Sequence, residues 1–310
     1  MTGATGFAGG PILRALLAAS HDVKALVRRP VADQFDPRVA IIKGDLDDIP
    51  ALDQLVSDAD VVVHVAGAIS SPSEAGYFKA NFAGTRNLFQ ATGRGTAKRF
   101  IYVSSITARS PELSAYAASK RAAEDYLISE KSDIQLLILR PPAVYGPGDK
   151  ATLPLLKSLQ RSIAFVPGYQ DAKFSLIHVE DLANIIFEAL ASNRIGIAEI
   201  DDSEGGHDWR ELADLNRAIG GTPNRLIYLP KRLADAVAFC SEWSVLLTGQ
   251  YAMFGRGKVN ELYHKDWVAR GPGWPRANPI KLREGLAETL AWYRANGMLP
   301  PLPPKARSAA

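Results

Sequence analysis

Over its first two hundred or so residues the chain alternates short apolar runs with helical patterns, and this alternation restricts the fold more than any other feature. "DVKALV" (22–27), "VAIIKGD" (39–45), "DVVVHVAG" (60–67), "RFIYVSS" (99–105) and "IQLLILR" (134–140) are apolar runs of strand length. Several are nearly continuous, as parallel strands buried on both faces are. Helices are predicted between them at about 7–19, 50–57, 74–94 and 116–131. Such alternation predicts an α/β fold built on a doubly wound parallel sheet.

From about residue 145 the pattern loosens, and Pro and Gly punctuate "PPAVYGPGD" and "FVPGYQD". Helices are predicted near 151–161, 179–192, 208–219, 231–247 and 280–296, with short strands near 196–201 and 225–229. The helix at 280–296 is amphipathic, with Leu282, Leu286, Leu290 and Tyr293 on one side. The tail "LPPLPPKARSAA" reads as a polyproline-like or disordered end.

The charge balance excludes some classes of function. With 36 basic and 33 acidic residues, net +3, and no dense basic block, no nucleic-acid partner is expected. No stretch approaches the ~20 apolar residues of an integral membrane span. The nearest, "LADAVAFCSEWSVLLTGQYAMF" (233–254), contains Asp235 and Glu242. It reads as a core or lid helix, with a membrane-surface helix as the minority reading. The single cysteine, Cys240, excludes an intramolecular disulfide, fits a reducing, cytoplasmic compartment and is expected to be a small buried apolar residue.

The chain opens "MTGATGFAGG". Gly3, Gly6 and Gly9, with Thr5, Phe7 and Ala8 between them, form a GxxGxxG loop suited to a pyrophosphate. Glycine permits a tight turn and close backbone approach, and the free amides of the following helix meet the anion. A dinucleotide is therefore the expected cofactor, held by a domain covering 1–165, to which 174–202 returns. Residues 166–310 are then the smaller, mostly helical substrate-binding part. At the end of the 22–27 strand an acidic residue would bind the ribose hydroxyls and favour NAD. Arg28 and Arg29 stand there instead, and a guanidinium can hold a 2′-phosphate, so NADP is favoured with NAD possible. The alternative is that both arginines are solvated beside a pocket that takes either cofactor. Asp45, followed by Leu46, is placed to meet the adenine, and Val65, Ala66 and Gly67 are placed to pass close to the adenosine and phosphates.

Relatives of such a loop follow a β-strand, which here would be the central one, yet only one residue precedes Thr2. Without it the neighbouring strands would lose several buried backbone pairings, each worth about 1–3 kcal/mol. The expectation is that residues upstream of this start belong to the protein, or, less favoured, that another segment fills the slot.

"SAYAASKRAAEDYL" places Tyr116 and Lys120 at i and i+4 on one helix face. A phenol with pKa near 10 is a poor acid–base at neutral pH, and lowering it by about 3 units takes about 4 kcal/mol. A lysine ammonium and a cationic nicotinamide both favour the phenolate. The strand at 99–105 ends at the cofactor edge with Val103, Ser104 and Ser105. Ser105 is expected to orient a substrate carbonyl, with Ser104 as runner-up, and Asn81 to carry a proton-relay water. His64, His178 and His264 are spread too irregularly for metal ligands, so no metal is expected, and His178 reads as making a structural hydrogen bond.

"TGATGFAG", "GDLDD", "HVAGA", "ANFAGTRNL", "YVSSI", "YAASK", "LRPPAVYGPGD" and "IHVEDLA" together resemble the extended short-chain dehydrogenase/reductase superfamily, also called the NAD-dependent epimerase/dehydratase family. "YLPKRLADAVA", "GKVNELYHKDW" and "REGLAETLAWYRANGML" resemble its 3β-hydroxysteroid dehydrogenase and dihydroflavonol reductase branch. The resemblance implies a Rossmann fold and a small-molecule substrate. It implies Tyr116 as acid–base, Lys120 as its partner, Ser105 as carbonyl orienter, Asn81 as helper, and backbone around Pro141 and Val144 at the nicotinamide. It also implies a homodimer through a four-helix interface. Many nucleotide-sugar members carry an asparagine where this chain has Ala143, so such a substrate is disfavoured; Phe239, Trp243 and Phe254 suit a less polar one, or are core. The expected function is an NAD(P)-dependent oxidoreductase. A nucleotide-sugar epimerase or dehydratase, and a non-catalytic cofactor-binding protein, are the alternatives.

Overall fold

The computed structural model describes residues 1–29, 35–222, 224–248, 255–276 and 278–301, with side chains from 242 to 248 excepted. The elements run β1 (Val23–Val27) and β2 (Val39–Lys43) after α1 (Gly9–Ala18). Then come α2 (Ile49–Val56), β3 (Val61–His64), α3 (Glu74–Tyr77), a π-helical turn (Phe78–Ala83) and α4 (Gly84–Arg94). Next are β4 (Arg99–Val103), α5 (Ala115–Ser129), β5 (Gln135–Arg140), β6 (Ala143–Tyr145), α6 (Leu153–Leu159), β7 (Ile163–Val166), β8 (Lys173–Phe174) and β9 (Leu176–His178). The chain closes with α7 (Val179–Ala191), β10 (Gly196–Glu199), α8 (Trp209–Ala218), β11 (Arg225–Tyr228), α9 (Lys231–Thr248), α10 (Arg256–Leu262), β12 (Asp266–Trp267) and α11 (Leu282–Ala295).

β1 pairs with β2, and β3, β4, β5 and β10 lie side by side, every pair parallel. The halves meet at the loop-bearing N-terminus. Thr2 bridges Leu26 on one side and His64 on the other. Leu26 N donates to Met1 O (3.0 Å), Thr2 N to Val63 O (3.0 Å) and Val65 N to Thr2 O (3.4 Å), while the Met1 amine donates to Lys24 O. Two residues thus stand in the central slot and join the strands at 23–27 and 61–64 into one doubly wound sheet.

Strand composition explains the layers. Ile101, Leu137 and Leu139 point to a core shared with α1 and α7, while Phe100, Tyr102 and Ile138 point to a second core shared with α2, α4 and α5. Alternate residues of one strand feed opposite faces, so a continuous apolar run is what a two-sided sheet requires. Beyond β5, short parallel pairs (β6 with β9, β7 with β11, β8 with β12) and a third core carry the C-terminal region. Leu282, Leu286, Leu290 and Tyr293 of α11 are buried in that core, as their spacing predicts. Leu299, at the head of the proline-rich tail, is buried there too and is not a disordered end; residues 302–310 lie outside the described ones.

α9 departs from expectation. Cys240 is exposed, not buried, and Leu233, Val237 and Phe239 also face outward. Its described part packs through small residues, Ala234 and Ala238, against Val259 of α10 and Tyr263 just after it. Trp243 and Phe254 lie outside the described side chains.

Candidate active site

The glycine loop is shaped by contacts that admit no side chain at Gly3 or Gly9 and leave little room at Gly6. Gly3 has φ +79°, and a Cβ there would lie 2.6 Å from Ala66 N. A Cβ on Gly9 would lie 1.9 Å from Gly3 O, and one on Gly6 3.2 Å from the same oxygen. Gly6 N closes the turn onto Gly3 O at 2.9 Å. α1 then starts with Ala8 in the capping position, where its methyl satisfies none of the first-turn amides. A tight glycine turn opening into an uncapped helix N-terminus fits a pyrophosphate. Thr5 and Gly6 are exposed and Phe7 and Ala8 half-buried; Gly148 (φ +93°) abuts Phe7, so the 146–148 turn borders the loop.

The other expected cofactor residues fall along the same sheet edge. Arg28 and Arg29 follow β1 and are exposed. Gly44 N donates to Val27 O (3.2 Å), which sets the end of β2, with Asp45, beside them. Leu46 packs on Gly84 of α4, and its carbonyl accepts from Asn87 Nδ2 at 2.9 Å. Val65 and Ala66 abut Gly3. Pro141 O accepts from Ile106 N at 2.9 Å, which ties the end of β5 to the Ser105 turn, and Val144 is half-buried on β6.

Tyr116 and Lys120 occupy the first half of α5. The helix starts there because Ser114 caps it, accepting from Ala117 N at 3.0 Å. Lys120 is buried, donates to Val103 O at 2.9 Å and sits 4.9 Å above the Tyr102 ring. Burial lowers its pKa to about 8, with Glu124 opposing, so it stays a cation at neutral pH. Burial pushes the Tyr116 phenol up, the Ser105 hydroxyl opposes this, and Glu261 and Tyr77 add to the rise. The protein's own groups therefore keep Tyr116 a protonated phenol, an acid rather than a base.

Ser105 lies beside that phenol. Its oxygen accepts from Thr107 N (3.2 Å) and Thr107 Oγ1 (2.9 Å), so its lone pairs are engaged and its one proton is left to donate. Ser104 is turned elsewhere. Its hydroxyl donates to Glu124 Oε1 at 2.5 Å, and Glu124 is in turn bridged by Arg140 Nη2 at 2.5 Å. Arg140 continues to Glu199, which also meets Arg109 at 3.0 Å.

Asn81 sits in the π-helical turn, where one extra residue re-aims a side chain. Its Oδ1 accepts from Ala68 N (2.7 Å) and its Nδ2 donates to Ala68 O (3.0 Å) and Ser119 Oγ (2.9 Å); Ser119 donates to Tyr116 O (2.7 Å). Both amide protons are used, so the side chain clamps the 66–68 segment to α5, the helix that bears Tyr116 and Lys120, with only an acceptor lone pair left for a water. A Cβ on Gly67 would lie 2.9 Å from Asn81 Oδ1 and 3.2 Å from Lys120 Nζ, so this glycine keeps the space before both open.

Sequence reasoning weighed His64 only as a metal ligand and gave it no other role; it is fully buried. Thr85 Oγ1 donates to Asn81 O (2.5 Å), so His64 Nε2 is the donor to Thr85 (2.9 Å) and Nδ1 the acceptor from Thr2 Oγ1 (2.7 Å). Burial first, then the Lys120 charge, lowers its pKa to about 3. His178 caps α7 through Glu180 N at 3.4 Å, a structural role. Glu261 of α10 was also passed over; it accepts from the capping Ser114 at 2.5 Å. Among the described residues Asp202, Glu204 and His207 have ligand atoms near one another, but both His207 nitrogens are engaged by Asp202 and Glu211.

The sequence profile of the NAD dependent epimerase/dehydratase family matches residues 1–200. Ceramide reductase of Caulobacter vibrioides is 39% identical over 306 residues, covering 97% of this chain and 95% of that protein. A putative dihydroflavonol 4-reductase of Synechocystis sp. is 30% identical over 332 residues, covering 96% and 94%. The crystal structure of gox2253 superposes with a TM-score of 0.69 at 25% identity, over 96% of this chain and 98% of that one. With the glycine loop, the doubly wound sheet and near-full-length likeness to reductases in agreement, the chain belongs to the NAD dependent epimerase/dehydratase family of extended short-chain dehydrogenases/reductases, and is an NAD(P)-dependent oxidoreductase.

Proposed function

We propose that this protein is an NADP-preferring reductase of a lipid ketone, as its 39% identity to ceramide reductase suggests. The observation that carries the chemistry is the juxtaposition of Ser105, with its single free proton, and the protonated Tyr116 phenol one helical turn from the Lys120 cation.

Gly3, Gly6, Gly9 and the start of α1 would hold the pyrophosphate, and Asp45, Leu46, Val65 and Ala66 the adenosine. Lys120 and the backbone at Val103, Pro141 and Val144 would hold the nicotinamide ribose and ring. When bound, the reduced nicotinamide supplies a hydride to the carbonyl carbon. Ser105 donates a hydrogen bond to the carbonyl oxygen and fixes its direction. Tyr116 gives its phenolic proton to that oxygen as negative charge develops there. Lys120 stabilises the phenolate left behind, which offsets the burial that otherwise raises the phenol. Asn81 acts as a positioning residue through Ser119 and the Tyr116 carbonyl.

NADP preference rests on Arg28 and Arg29, exposed at the end of β1 where they can fork a 2′-phosphate. Ala143 is exposed and offers no hydrogen bond, which counts against a nucleotide-sugar substrate. A homodimer is the assembly we expect.

The test is fluorescence titration with NADPH and NADH, followed by NADPH oxidation with a ceramide-like ketone. Tighter binding of NADPH that falls about tenfold in an Arg28→Ala, Arg29→Ala variant supports the reading. NADH binding as tightly as NADPH would overturn the preference, and no ketone-dependent oxidation would overturn the substrate class.

A further inference from the structure

α10 is built onto the start of α5, the helix that bears Tyr116 and Lys120. Asn260 Nδ2 donates to Leu113 O at 3.2 Å, and a Cβ on Gly257 would lie 2.9 Å from Ser114 Cβ. Glu261 is buried at this contact. One of its carboxylate oxygens accepts from Ser114 Oγ at 2.5 Å and the other from Lys258 Nζ at 3.0 Å. Its backbone is held as well, because its carbonyl accepts from Trp267 Nε1 at 2.7 Å. Ser114 accepts from Ala117 N at 3.0 Å, so its oxygen caps α5 while its one proton goes to Glu261.

This puts a carboxylate where the reaction needs one. Tyr116 is the second residue of α5. The free amides at a helix start make a positive end that favours an anion, and the Lys120 ammonium favours one too. Both draw the phenol towards phenolate, which can take up a proton but cannot deliver one. Glu261 opposes them. Its charge acts on Tyr116 and on Tyr77, whose rings meet edge to face at 6.1 Å, and burial of Tyr116 acts in the same direction.

The other charged or titratable groups around these two side chains come from each neighbouring element. Tyr77 lies on α3, Tyr102 on β4 and Lys120 on α5, and Glu112 is exposed just before α5. Lys258 lies on α10, and His264 follows it, its amide donating to Glu261 O at 3.2 Å. From α9, Lys231 bonds Asn260 at 3.0 Å and is paired with Asp235.

We propose that Glu261 is a positioning residue of the reduction: held at the start of α5 by Ser114, its carboxylate keeps Tyr116 in the proton-bearing form that the carbonyl oxygen requires. The role rests on the ketone-reduction reading given above, and part of its test needs no ketone.

The rate of NADPH oxidation with a ceramide-like ketone is measured over a pH series for the wild type, Glu261→Gln and Glu261→Asp. Loss of the charge in Glu261→Gln should move the alkaline limb of the profile about one pH unit lower, with the plateau rate within about threefold. Glu261→Asp keeps the charge and should leave the limb in place. Glu261→Ala removes the charge without adding amide protons at a buried place, and should behave as Glu261→Gln does. The comparison is repeated without ketone, on the complex with oxidised NADP, by the phenolate absorbance that each protein shows beyond its Tyr116→Phe counterpart. Its midpoint should fall in the neutral variants and not in Glu261→Asp. A limb and a midpoint that stay in place in the neutral variants overturn the proposal, as does a move to higher pH. Neutral variants that no longer bind NADPH, beside a normal Glu261→Asp, would make the residue structural only and also overturn it. A wild type that reduces no ketone, with the phenolate midpoint lowered in Glu261→Gln, would overturn the reduction and leave the hold of Glu261 on Tyr116 standing.

Discussion

His64 Nε2 donates to Thr85 Oγ1 across 2.9 Å, and through that hydroxyl it holds the backbone carbonyl of Asn81. Its other nitrogen holds Thr2, whose hydroxyl oxygen also accepts from Ala66 N at 3.3 Å. One neutral ring therefore joins the glycine loop, the 65–68 segment and the π-helical turn. The arrangement works only with Nδ1 unprotonated.

His64→Gln should lower stability by about 1–3 kcal/mol, because buried partners are left unsatisfied. The pH dependence has a definite sign. The folded pKa of about 3 is below the model-peptide value of 6.5, so the unfolded chain takes up a proton first as pH falls. Stability should drop from pH 6.5 towards 3 in the wild type and less steeply in the variant, read by chemical denaturation at a series of pH values. Equal slopes would show that His64 does not titrate on unfolding.

His207 should act in the opposite window. Burial alone would lower its pKa, but hydrogen bonds and charge from Asp202 and Glu211 outweigh this and raise it to about 9. The stabilisation is complete below 6.5 and is lost as pH rises through 9. His207→Gln should flatten the stability profile between those values, and an unchanged profile there would refute the pairing.

Glycine positions separate by what a methyl would meet. Gly9→Ala drives a Cβ into the Gly3 carbonyl, and should cost about 1–3 kcal/mol and abolish cofactor binding. Gly93, inside α4, has nothing within 4 Å of its Cβ position, and Gly93→Ala should stabilise by about 0.5–1 kcal/mol. Thermal shift with and without NADPH distinguishes the two. Destabilisation by both would show that the loop contacts carry no special weight.

The sheet was legible because both of its faces are buried, which writes apolar runs such as "RFIYV" directly into the chain. Tyr116 and Lys120 were legible because helical spacing puts them on one face. Asn81 was placed on the right segment, but its clamp was not readable, since a π-helical turn leaves the helical pattern intact. The carboxylate of Glu124 and the guanidinium of Arg140 meet across two elements, and no local spacing announces that they capture Ser104. Cys240 was misplaced because apolar periodicity shows that a helix has an apolar face, not that the face turns inward. The central slot was read from the strands flanking it, and Met1 with Thr2 stand in it.

The central claim is that Tyr116 delivers the proton in a reaction that consumes NADPH. The most direct measurement is single-turnover NADPH oxidation by Tyr116→Phe beside NADPH binding by the same variant. The account predicts a rate lower by about 100- to 10,000-fold, with binding within about twofold of the wild type. A variant that oxidises NADPH with substrate at the wild-type rate would contradict it.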